Sequence, residues 1–508
     1  SLDWNLNLLK KIFQQEKNSD IVIREFSLAL DPPLKGALVF IEGLTDRTII
    51  NQNILQPLML LANISPDIVH NQPVETVYNY LLPTNQVERK RKLDELVQAI
   101  LTGTGVLLID GTSEGLVIEI KGWEHRTVSP PITEQVVRGP QEAFTELLRT
   151  NTALIRRRIR TPKLIMEGLK IGEISKTDVV IAYIADLANS ALIDEVRVRI
   201  KSIKIDYLPD SGYLEHYMED NPYGIFPETL STERPDRVTA FLSEGHVAIL
   251  VDGSPFVIVV PITFTAFIHS PEDYYLKWPF GTLLRLVRLL GIFFALFLPS
   301  IYIAVTNYHQ EMIPTSLLLA IAASREFVPF PVFVEVILME LALELIREAG
   351  IRIPSAIGPT IGIVGALILG QAAVQAGIIS PLLVIVVALT ALGSFTIPNF
   401  TASFSLRLFR FPLTILGAVL GFEGVAAGTI LLIMHLASLK SFGVPYMSPI
   451  APYRGGHKDI ILMGNLSQMK QRPSFIRPLD EIRQPKENPS WRMGKKDSQG
   501  DKEGKKDD

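Results

Sequence analysis

Acidic side chains recur within the apolar run VFVEVILMELALELIREAG, which occupies residues 332–350. Glu340 and Glu344 are four residues apart, so on a helix they share one face, which Arg347 borders. A charge deep in lipid costs at least about 2.5 kcal/mol, so this face must meet protein, lipid headgroups or water. We hypothesise that Glu335, Glu340 and Glu344 form the acidic face of a water-filled ion path in an oligomer. The alternative is an interfacial amphipathic helix whose acids face solvent.

A second set of side chains is typical of a gated path. In the run LLVIVVALTALGSFTI, residues 382–397, the side chains of Val384, Val387, Thr390 and Ser394 fall near one helical face. An apolar constriction beside hydroxyl groups is a suitable pore lining when several subunits surround one axis. The alternative is that these four residues face neighbouring helices as core.

Small residues recur at every fourth position of the uncharged stretch 357–398, which is about two bilayer widths long. They are Gly358, Gly362, Ala366 and Gly370. On a helix they form a narrow stripe that another backbone can approach closely. The spacing therefore predicts a helix-packing face.

One further acid, Glu423, lies in the last apolar run, residues 412–436, where the sequence GFEG divides it. An acid inside a membrane segment is a functional-site hypothesis by default. The alternative is a broken hairpin that exposes Glu423 at the surface. Depending on how this run and residues 315–348 are counted, the sequence predicts four or five membrane crossings.

The first crossing, from about residue 286 to 305, follows a cluster of aromatic and basic residues typical of a membrane interface. This cluster comprises Tyr274, Tyr275, Trp278, Phe280, Arg285 and Arg288. Residues 307–311 after the crossing contain no Lys or Arg. The positive-inside rule therefore predicts a cytoplasmic N-terminal region.

The composition indicates a mixed soluble and membrane protein. The chain has 508 residues, of which 47% are hydrophobic and 20% charged, and its mean hydropathy is +0.26. The net charge of −4 without a dominant basic patch argues against nucleic-acid binding. The chain contains no Cys, which excludes disulfides and thiolate chemistry. We find no catalytic motif and expect neither an enzyme nor a cofactor or metal site.

The soluble half contains an internal repeat. The segment GTGVLLIDG at 103–111 is echoed by EGHVAILVDG at 244–253, and an apolar strand follows each Asp-Gly pair, which is a hairpin signal. Upstream, a strand and a helix with Asp46 as its cap resemble a strand and a helix capped by Asn189. The repeat predicts two copies of one strand, helix, helix, hairpin unit.

Between the copies we predict a linker helix at about 142–160 that ends in Arg156, Arg157 and Arg158. This basic run is typical of a solvated helix face, and the alternative is contact with anionic lipid headgroups. The Asp-Gly pairs could also bind a metal or phosphate, although Asp-Gly is foremost a turn sequence.

Together these patterns predict an α+β soluble N-terminal region made of two similar α/β subdomains, residues 1–135 and 136–275. An all-α polytopic membrane domain follows at 276–452. The last segment, 453–508, is highly charged towards its end, and we predict a largely disordered C-terminal tail.

Several long runs resemble the A subunits of the GerA family of bacterial spore germination receptors. They include SPEDYYLKWPFGTLLRLVR, the runs from residue 328 to 354 and from 358 to 400, SFGVPYMSP, and IEGLTDRTIINQNILQPLM in the N-terminal half. The resemblance extends to about residue 452.

The resemblance implies a multi-pass protein of the spore inner membrane, or cell membrane, with its N-terminal domain in the cytoplasm. Its partners would be a transporter-like B subunit and a lipoprotein C subunit, which together sense nutrients and trigger germination. The A subunit looks like the channel component of the receptor, a pentameric homo-oligomer that releases monovalent cations. It would contact membrane lipid and would not bind nucleic acid. Two alternatives are an A-subunit homologue that amplifies germination and a non-conducting membrane scaffold or signal relay.

Overall fold

The structure, a computed structural model, describes residues 1–29, 33–60, 73–84, 86–122, 130–352, 370–453 and 459–484. Three members of the predicted packing stripe lie outside the described residues, as does the end of the predicted tail, residues 485–508. These three are Gly358, Gly362 and Ala366.

The first sheet has five antiparallel strands in the order β1-β2-β4-β5-β3. Alternate side chains of its central strands enter two separate cores, as the two-residue period of a strand requires. Val106 and Leu108 pack with the first helix, whereas Leu107 and Ile109 pack with the helices that follow β2. The strands are β1 Ile21–Leu28, β2 Leu34–Ile41, β3 Val87–Lys90, β4 Gly105–Ile109 and β5 Gly115–Ile118.

The second sheet repeats this topology, in the order β6-β7-β9-β10-β8, again with antiparallel neighbours. Both predicted hairpins are present, and the glycines of their Asp-Gly turns, Gly111 and Gly253, have φ values of 77° and 86°. A side chain would be strained at such φ values, so the turns favour glycine. The strands are β6 Leu164–Ile171, β7 Thr177–Ile184, β8 Leu230–Thr232, β9 Val247–Val251 and β10 Val257–Val260.

Helices cover both sheets. In the first part they are α1 Leu2–Ile12, α2 Arg47–Ile49, α3 Gln56–Leu60, α4 Pro73–Thr76 and α5 Leu93–Leu101, with π-helical turns at Ile50–Leu55 and Val77–Leu81. In the second they are α6 Leu148–Arg158, α7 Ser190–Ser202, α8 Ser211–Met218, α9 Pro235–Leu242, α10 Phe264–Ile268 and α11 Pro271–Tyr275. The predicted caps are confirmed, because Asp46 accepts hydrogen bonds from the Thr48 and Ile49 N–H groups and Asn189 accepts one from Ala191 N–H.

The aspartates of the two hairpin turns have the same structural role. Asp110 Oδ1 accepts a hydrogen bond of 3.0 Å from Leu2 N–H, and Asp252 Oδ1 accepts one of 3.1 Å from Leu148 N–H. Each carboxylate therefore satisfies a free donor at a helix start, where negative charge is also favoured. These contacts make α6 the counterpart of α1, so the helix that we predicted as a linker is the first element of the second unit.

In the basic run at the end of α6, Arg156 lies neither on a solvated face nor at a lipid contact, whereas Arg157 and Arg158 are half-buried. Arg156 is buried, and its Nε and Nη2 atoms donate to the Asp20 carboxylate at 2.7 and 2.8 Å, while Asn18 Oδ1 accepts at 3.0 Å. Arg157 and Arg158 both pair with Glu142. The prediction was wrong because the acceptor for Arg156 lies 136 residues away in the chain. Asp20 precedes β1, so this ion pair joins the two sheet units.

The helical half contains α12 Trp278–Asn307, α13 Thr315–Arg325, α14 Val332–Arg352, α15 Pro381–Phe395 and α16 Phe400–Ser438. Residues 370–375 are also helical, and a 3₁₀ turn lies at Gln310–Met312. By length and hydropathy, α12 and α16 are long and apolar enough to cross a membrane, while α13 and α15 are shorter apolar helices. A short β-ribbon, β11 Lys440–Ser441 and β12 Val444–Pro445, follows α16 and packs on the soluble region.

Helix α16 doubles back at Gly421, whose φ of 61° and ψ of −139° are not helical. The ring of Phe226 lies 6.5 Å from that of Phe409 and 6.1 Å from that of His435. In a straight helix these last two residues would be about 39 Å apart. The predicted division of the last apolar run is therefore a helical hairpin, with both ends of α16 on the same side.

Replacing Gly421 by Ala should destabilise this hairpin. A Cβ atom there would lie 3.1 Å from Tyr308 Cβ, and the backbone would be strained at positive φ, at a cost of about 1–3 kcal/mol. We expect a lower melting temperature for the detergent-solubilised variant. Gly350→Ala is the matched control, because a Cβ atom at Gly350 in α14 meets open space. Equal melting temperatures for the two variants would contradict the assigned turn.

Part of the predicted disordered tail is ordered. Residues 459–484, which we call the C-terminal strap, lie against the soluble region and bury Met463, Met469 and Ile476. The strap contains 3₁₀ turns at Leu466–Gln468 and Ser474–Ile476 and a bridge between Gln471 and Ile482. The prediction weighted the high charge of the segment and overlooked these scattered apolar anchors.

Candidate functional site

The first three acidic residues of α14, Glu335, Glu340 and Glu344, point into the helical half and meet arginines. Glu335 is buried, its Oε1 atom accepts from Arg325 Nη2 at 2.9 Å, and its Oε2 atom accepts from Ser380 N–H at 3.0 Å. Ser380 is the N-cap residue of α15. A carboxylate at a helix N-terminus satisfies a backbone donor and is favoured by the helix dipole. Glu335 therefore ties α13 and α15 to α14.

One turn further along, Glu340 forms an ion pair with Arg410 of α16, and both side chains are only 2% exposed. The carboxylate oxygens of Glu340 and the Nε atom of Arg410 have no well-oriented hydrogen bond among the described residues. Removing two charges from water is costly, and that cost is offset only when each charge retains its partner. The pair therefore makes the α14–α16 contact sensitive to either residue.

The next acid, Glu344, is the centre of a small network. Its Oε2 atom accepts from Arg407 Nη1 at 2.8 Å, and its Oε1 atom lies 3.4 Å from Arg347 Nη1 and 3.6 Å from Arg410 Nη2. Arg347 also donates to Ser394 Oγ of α15 at 3.3 Å. The network thus connects α14, α15 and α16.

These contacts define a site that we call the arginine clamp, formed by Glu340, Glu344, Arg347, Arg407 and Arg410. It carries two negative and three positive charges, so the acids are neutralised within one chain. The alternative of an interfacial helix whose acids face solvent does not fit Glu335 or Glu340, because both side chains are buried. From the sequence, neither Arg407 nor Arg410 was singled out as a site residue. Their spacing of three residues within an apolar run was the signal that they meet partners inside the protein.

The four residues predicted to line a pore lie mostly inside the single chain. Val387, Thr390 and Ser394 are buried, and Val384 is half-buried. Val387 packs in a core with Tyr302, and Thr390 Oγ1 donates to its own helix at Val386 O. The chain thus places three of the four against neighbouring helices, and their pore role remains a prediction.

The remaining predicted residues lie apart from the clamp. Glu423 is exposed and follows Gly421 at the tip of the α16 hairpin, which is the placement of the surface alternative. Gly370 is buried, and a Cβ atom on it would lie 3.6 Å from Val384 Cγ1. The described end of the predicted stripe therefore faces α15.

A second ionic cluster lies where the soluble region meets α12. Arg285 is fully buried, and its Nε atom donates to Asp273 Oδ2 at 3.1 Å, while its Nη1 atom donates to Asp459 Oδ1 at 2.5 Å. Arg288 also donates to Asp273, and Tyr274 Oη donates to Asp459 Oδ2 at 2.5 Å. Burial raises the pKa of Tyr274, so its hydroxyl remains a donor. The arginines predicted to anchor lipid headgroups are thus bound by protein carboxylates.

Asp459→Asn should loosen the strap, because the amide loses the charge that holds Arg285 to it. We expect trypsin to cleave after Lys470 about tenfold faster, equivalent to about 1.4 kcal/mol of local stability. Limited proteolysis of the full chain with mass spectrometry measures this rate. Asp480→Asn is the control, since Asp480 is 53% exposed and pairs with Arg472 within the strap. Unchanged cleavage in Asp459→Asn would contradict the anchoring role.

The outer faces of the helices are apolar where the inner faces are ionic. Large apolar side chains exposed on α12, α15 and both limbs of α16 include Leu286, Leu290, Phe293, Ile385, Leu392, Phe404, Ile415, Leu431 and Met434. Exposed apolar surface of this extent marks a membrane or protein contact. With its buried charges, the helical half has the polarity expected in lipid.

Comparison with known proteins identifies the family to which the chain is similar. The family model described as Bacillus/Clostridium GerA spore germination protein matches residues 7–475. Spore germination protein KA of Bacillus subtilis (strain 168) is 41% identical over 486 residues, covering 95% of this chain and 89% of that protein. Spore germination protein GerLA of Bacillus cereus is 38% identical over 492 residues, covering 96% and 98%.

Among solved structures, the chain is similar to the N-terminal domain of the A subunit of the Bacillus megaterium spore germinant receptor GerK3. The identity is 34%, the TM-score is 0.39, and the match covers 51% of this chain and 94% of that chain.

Proposed function

Because this chain belongs to the GerA family of spore germination proteins, we propose that it is the A subunit of a spore germinant receptor and acts in the spore inner membrane. The observation that carries the membrane role is the polarity of the helical half. Arg410 and Glu340 are buried, whereas leucines and phenylalanines of α12, α15 and α16 face outward. Such an arrangement is stable when lipid, rather than water, surrounds the helices.

The soluble region lies on the cytoplasmic side in this proposal, as two similar α/β subdomains at 1–135 and 136–275. Support for two copies comes from the repeated strand order and from the matching caps at Asp110 and Asp252. The helical region, 276–452, leaves the soluble part at α12 and returns to it at β11, where Ser441 Oγ donates to Glu228 O. An even number of crossings follows in this proposal, which favours four crossings over five.

We further propose that several copies, five by family resemblance, surround one axis and conduct monovalent cations when a nutrient is sensed. A path between copies is required, because the clamp arginines neutralise Glu340 and Glu344 within the chain. Of the four predicted lining residues, Val384 is the one whose side chain is partly exposed, so it could face such an axis. A transporter-like B subunit and a lipoprotein C subunit are the proposed partners in sensing.

Deletion of the gene in the spore-forming host tests the receptor role. We expect loss of potassium release and of germination in response to at least one nutrient, with restoration by the wild-type gene. A Val384→Ala gene should restore the response and also leak potassium without nutrient, because the smaller side chain widens the constriction. Unchanged germination of the deletion strain with every nutrient would contradict a receptor role.

A non-conducting scaffold or signal relay is the second candidate, and the neutralised acids of the arginine clamp favour it. In that case the deletion strain would still fail to respond, but Val384→Ala would not leak. Full nutrient responses at a reduced rate would instead indicate the germination-amplifying role.

A further inference from the structure

A cavity of about 820 Å³ lies beneath the C-terminal strap, between α9, residues 262–275 and the strap itself. This volume is within the range of small-molecule sites. Its inner wall is apolar and includes Ala240, Phe241 and Ile262, and the strap contributes Met469 and Phe475. The cavity therefore offers a largely apolar surface at the junction of the soluble and helical regions.

Glu244 is the acid in this cavity with the weakest compensation. The other two lining acids are firmly held, since Asp236 pairs with Arg234 and Asp459 pairs with Arg285. Glu244 forms a long ion pair of 3.4 Å with Arg483 of the strap, and the Arg483 side chain is 38% exposed. Arg483 can turn into solvent at little cost, because exposed ion pairs contribute about 0–1 kcal/mol. Glu244 itself lies in the tight connection between α9 and β9, which fixes its position.

Two neutral histidines add hydrogen-bond acceptors to the lining. The Nδ1 atom of His246 lies 2.7 Å from Pro261 O, and the Nε2 atom of His269 lies 2.6 Å from Ile460 O, so each of these nitrogens is the protonated donor. Burial lowers the pKa of both histidines to about 4, and the charge of Arg285 contributes to that of His269. Their second ring nitrogens are therefore acceptors, and neither ring opposes a cation.

We propose that this cavity binds a small molecule that combines a protonated amine with an apolar body, and that Glu244 is its counter-ion. The ammonium group replaces Arg483 at the carboxylate, and the apolar body contacts Phe241 and the strap. Hydrogen bonds between charged partners are about twice as strong as neutral ones, which gives the amine its advantage over a neutral analogue. The proposal does not depend on the receptor role, because it concerns binding to the chain alone.

Occupancy of the cavity would also hold the strap in place. The strap supplies one wall, and through Asp459 it is tied to Arg285 of α12. A ligand that binds only when the strap lies against the soluble region stabilises this position of the strap by mass action. Binding should therefore slow tryptic cleavage after Lys470.

Titration of the purified full-length chain in detergent tests the proposal, with 2-phenylethylamine as the probe and 2-phenylethanol as its uncharged counterpart. We expect the amine to bind about tenfold more tightly than the alcohol and to lose this advantage in Glu244→Gln. Glu173→Gln, an exposed position outside the cavity, is the matched control and should bind like the wild type. Ala240→Phe places a ring in the cavity beside Phe241 and should weaken binding of both probes.

The pH dependence gives a second readout. Burial raises the pKa of Glu244 to about 7, so the carboxylate charge, and with it amine affinity, should increase from about pH 6 to about pH 8. The charged groups that act on Glu244 are Arg483, Arg472 and Asp459, and the cavity lining also includes Arg237 and Lys470. Both histidines stay neutral in this window, because burial lowers their pKa to about 4. Equal affinity for the two probes, unchanged amine binding in Glu244→Gln, or no saturable binding of the amine would each overturn the proposal.

Discussion

Glu340→Gln is expected to reduce severely the amount of folded protein in membranes. The substitution leaves the Arg410 guanidinium charged and 2% exposed, without its close partner Glu340 and with the longer contact of 3.6 Å to Glu344. Breaking a buried ion pair on one side costs about 3–5 kcal/mol, which is a large part of the stability of a domain. Detergent extraction followed by size-exclusion chromatography and thermal melting measures the loss.

The double variant Glu340→Leu, Arg410→Leu should recover most of this loss. Replacing both members of a buried ion pair by apolar residues is often neutral or stabilising. Glu348→Gln is the matched control, because Glu348 lies on the same helix, is 60% exposed and pairs with the exposed Arg352. If Glu340→Gln folds like the wild type and changes only ion release, the clamp interpretation is wrong and the acid lines the ion path.

Arg156→Leu is expected to have the second large effect, this time in the soluble region. Both Arg156 and Asp20 are 1% exposed, and their two hydrogen bonds join the two sheet units. The variant leaves a buried carboxylate without its partner, at a cost of about 3–5 kcal/mol. We expect the melting transition of the soluble region to fall by several degrees, measured by circular dichroism on the full chain.

Arg160→Leu provides the control for this prediction. Arg160 ends the same basic segment but is exposed, and its Nε atom donates a hydrogen bond of 3.2 Å to Arg157 O. Adding Asp20→Leu to Arg156→Leu should restore part of the stability, since no buried charge would remain unpaired. Similar melting temperatures for Arg156→Leu and Arg160→Leu would show that the pair does not join the units.

Local patterns carried enough information to predict the soluble elements. The turns at Asp110 and Asp252 and the caps at Asp46 and Asn189 involve neighbours within a few residues, where steric and hydrogen-bond rules act directly. The family resemblance was also visible in the sequence, and the comparisons show it.

Contacts between distant residues could not be predicted in the same way. Arg407 meets Glu344 across 63 positions, Arg156 meets Asp20 across 136, and Arg285 meets Asp459 across 174. A charge within an apolar run indicates that a partner exists, but the sequence does not identify it. For this reason the acids of α14 were predicted as a free acidic face, although the structure pairs them with arginines.

The number of copies in one receptor tests the central proposal most directly. One chain pairs the acids of the arginine clamp with its own arginines, so a cation path must lie between chains. Photobleaching steps of a fluorescently tagged full-length chain, counted in native spore membranes, provide this number. We expect several copies, five by family resemblance, in each complex. A single copy in every complex would contradict conduction through this subunit.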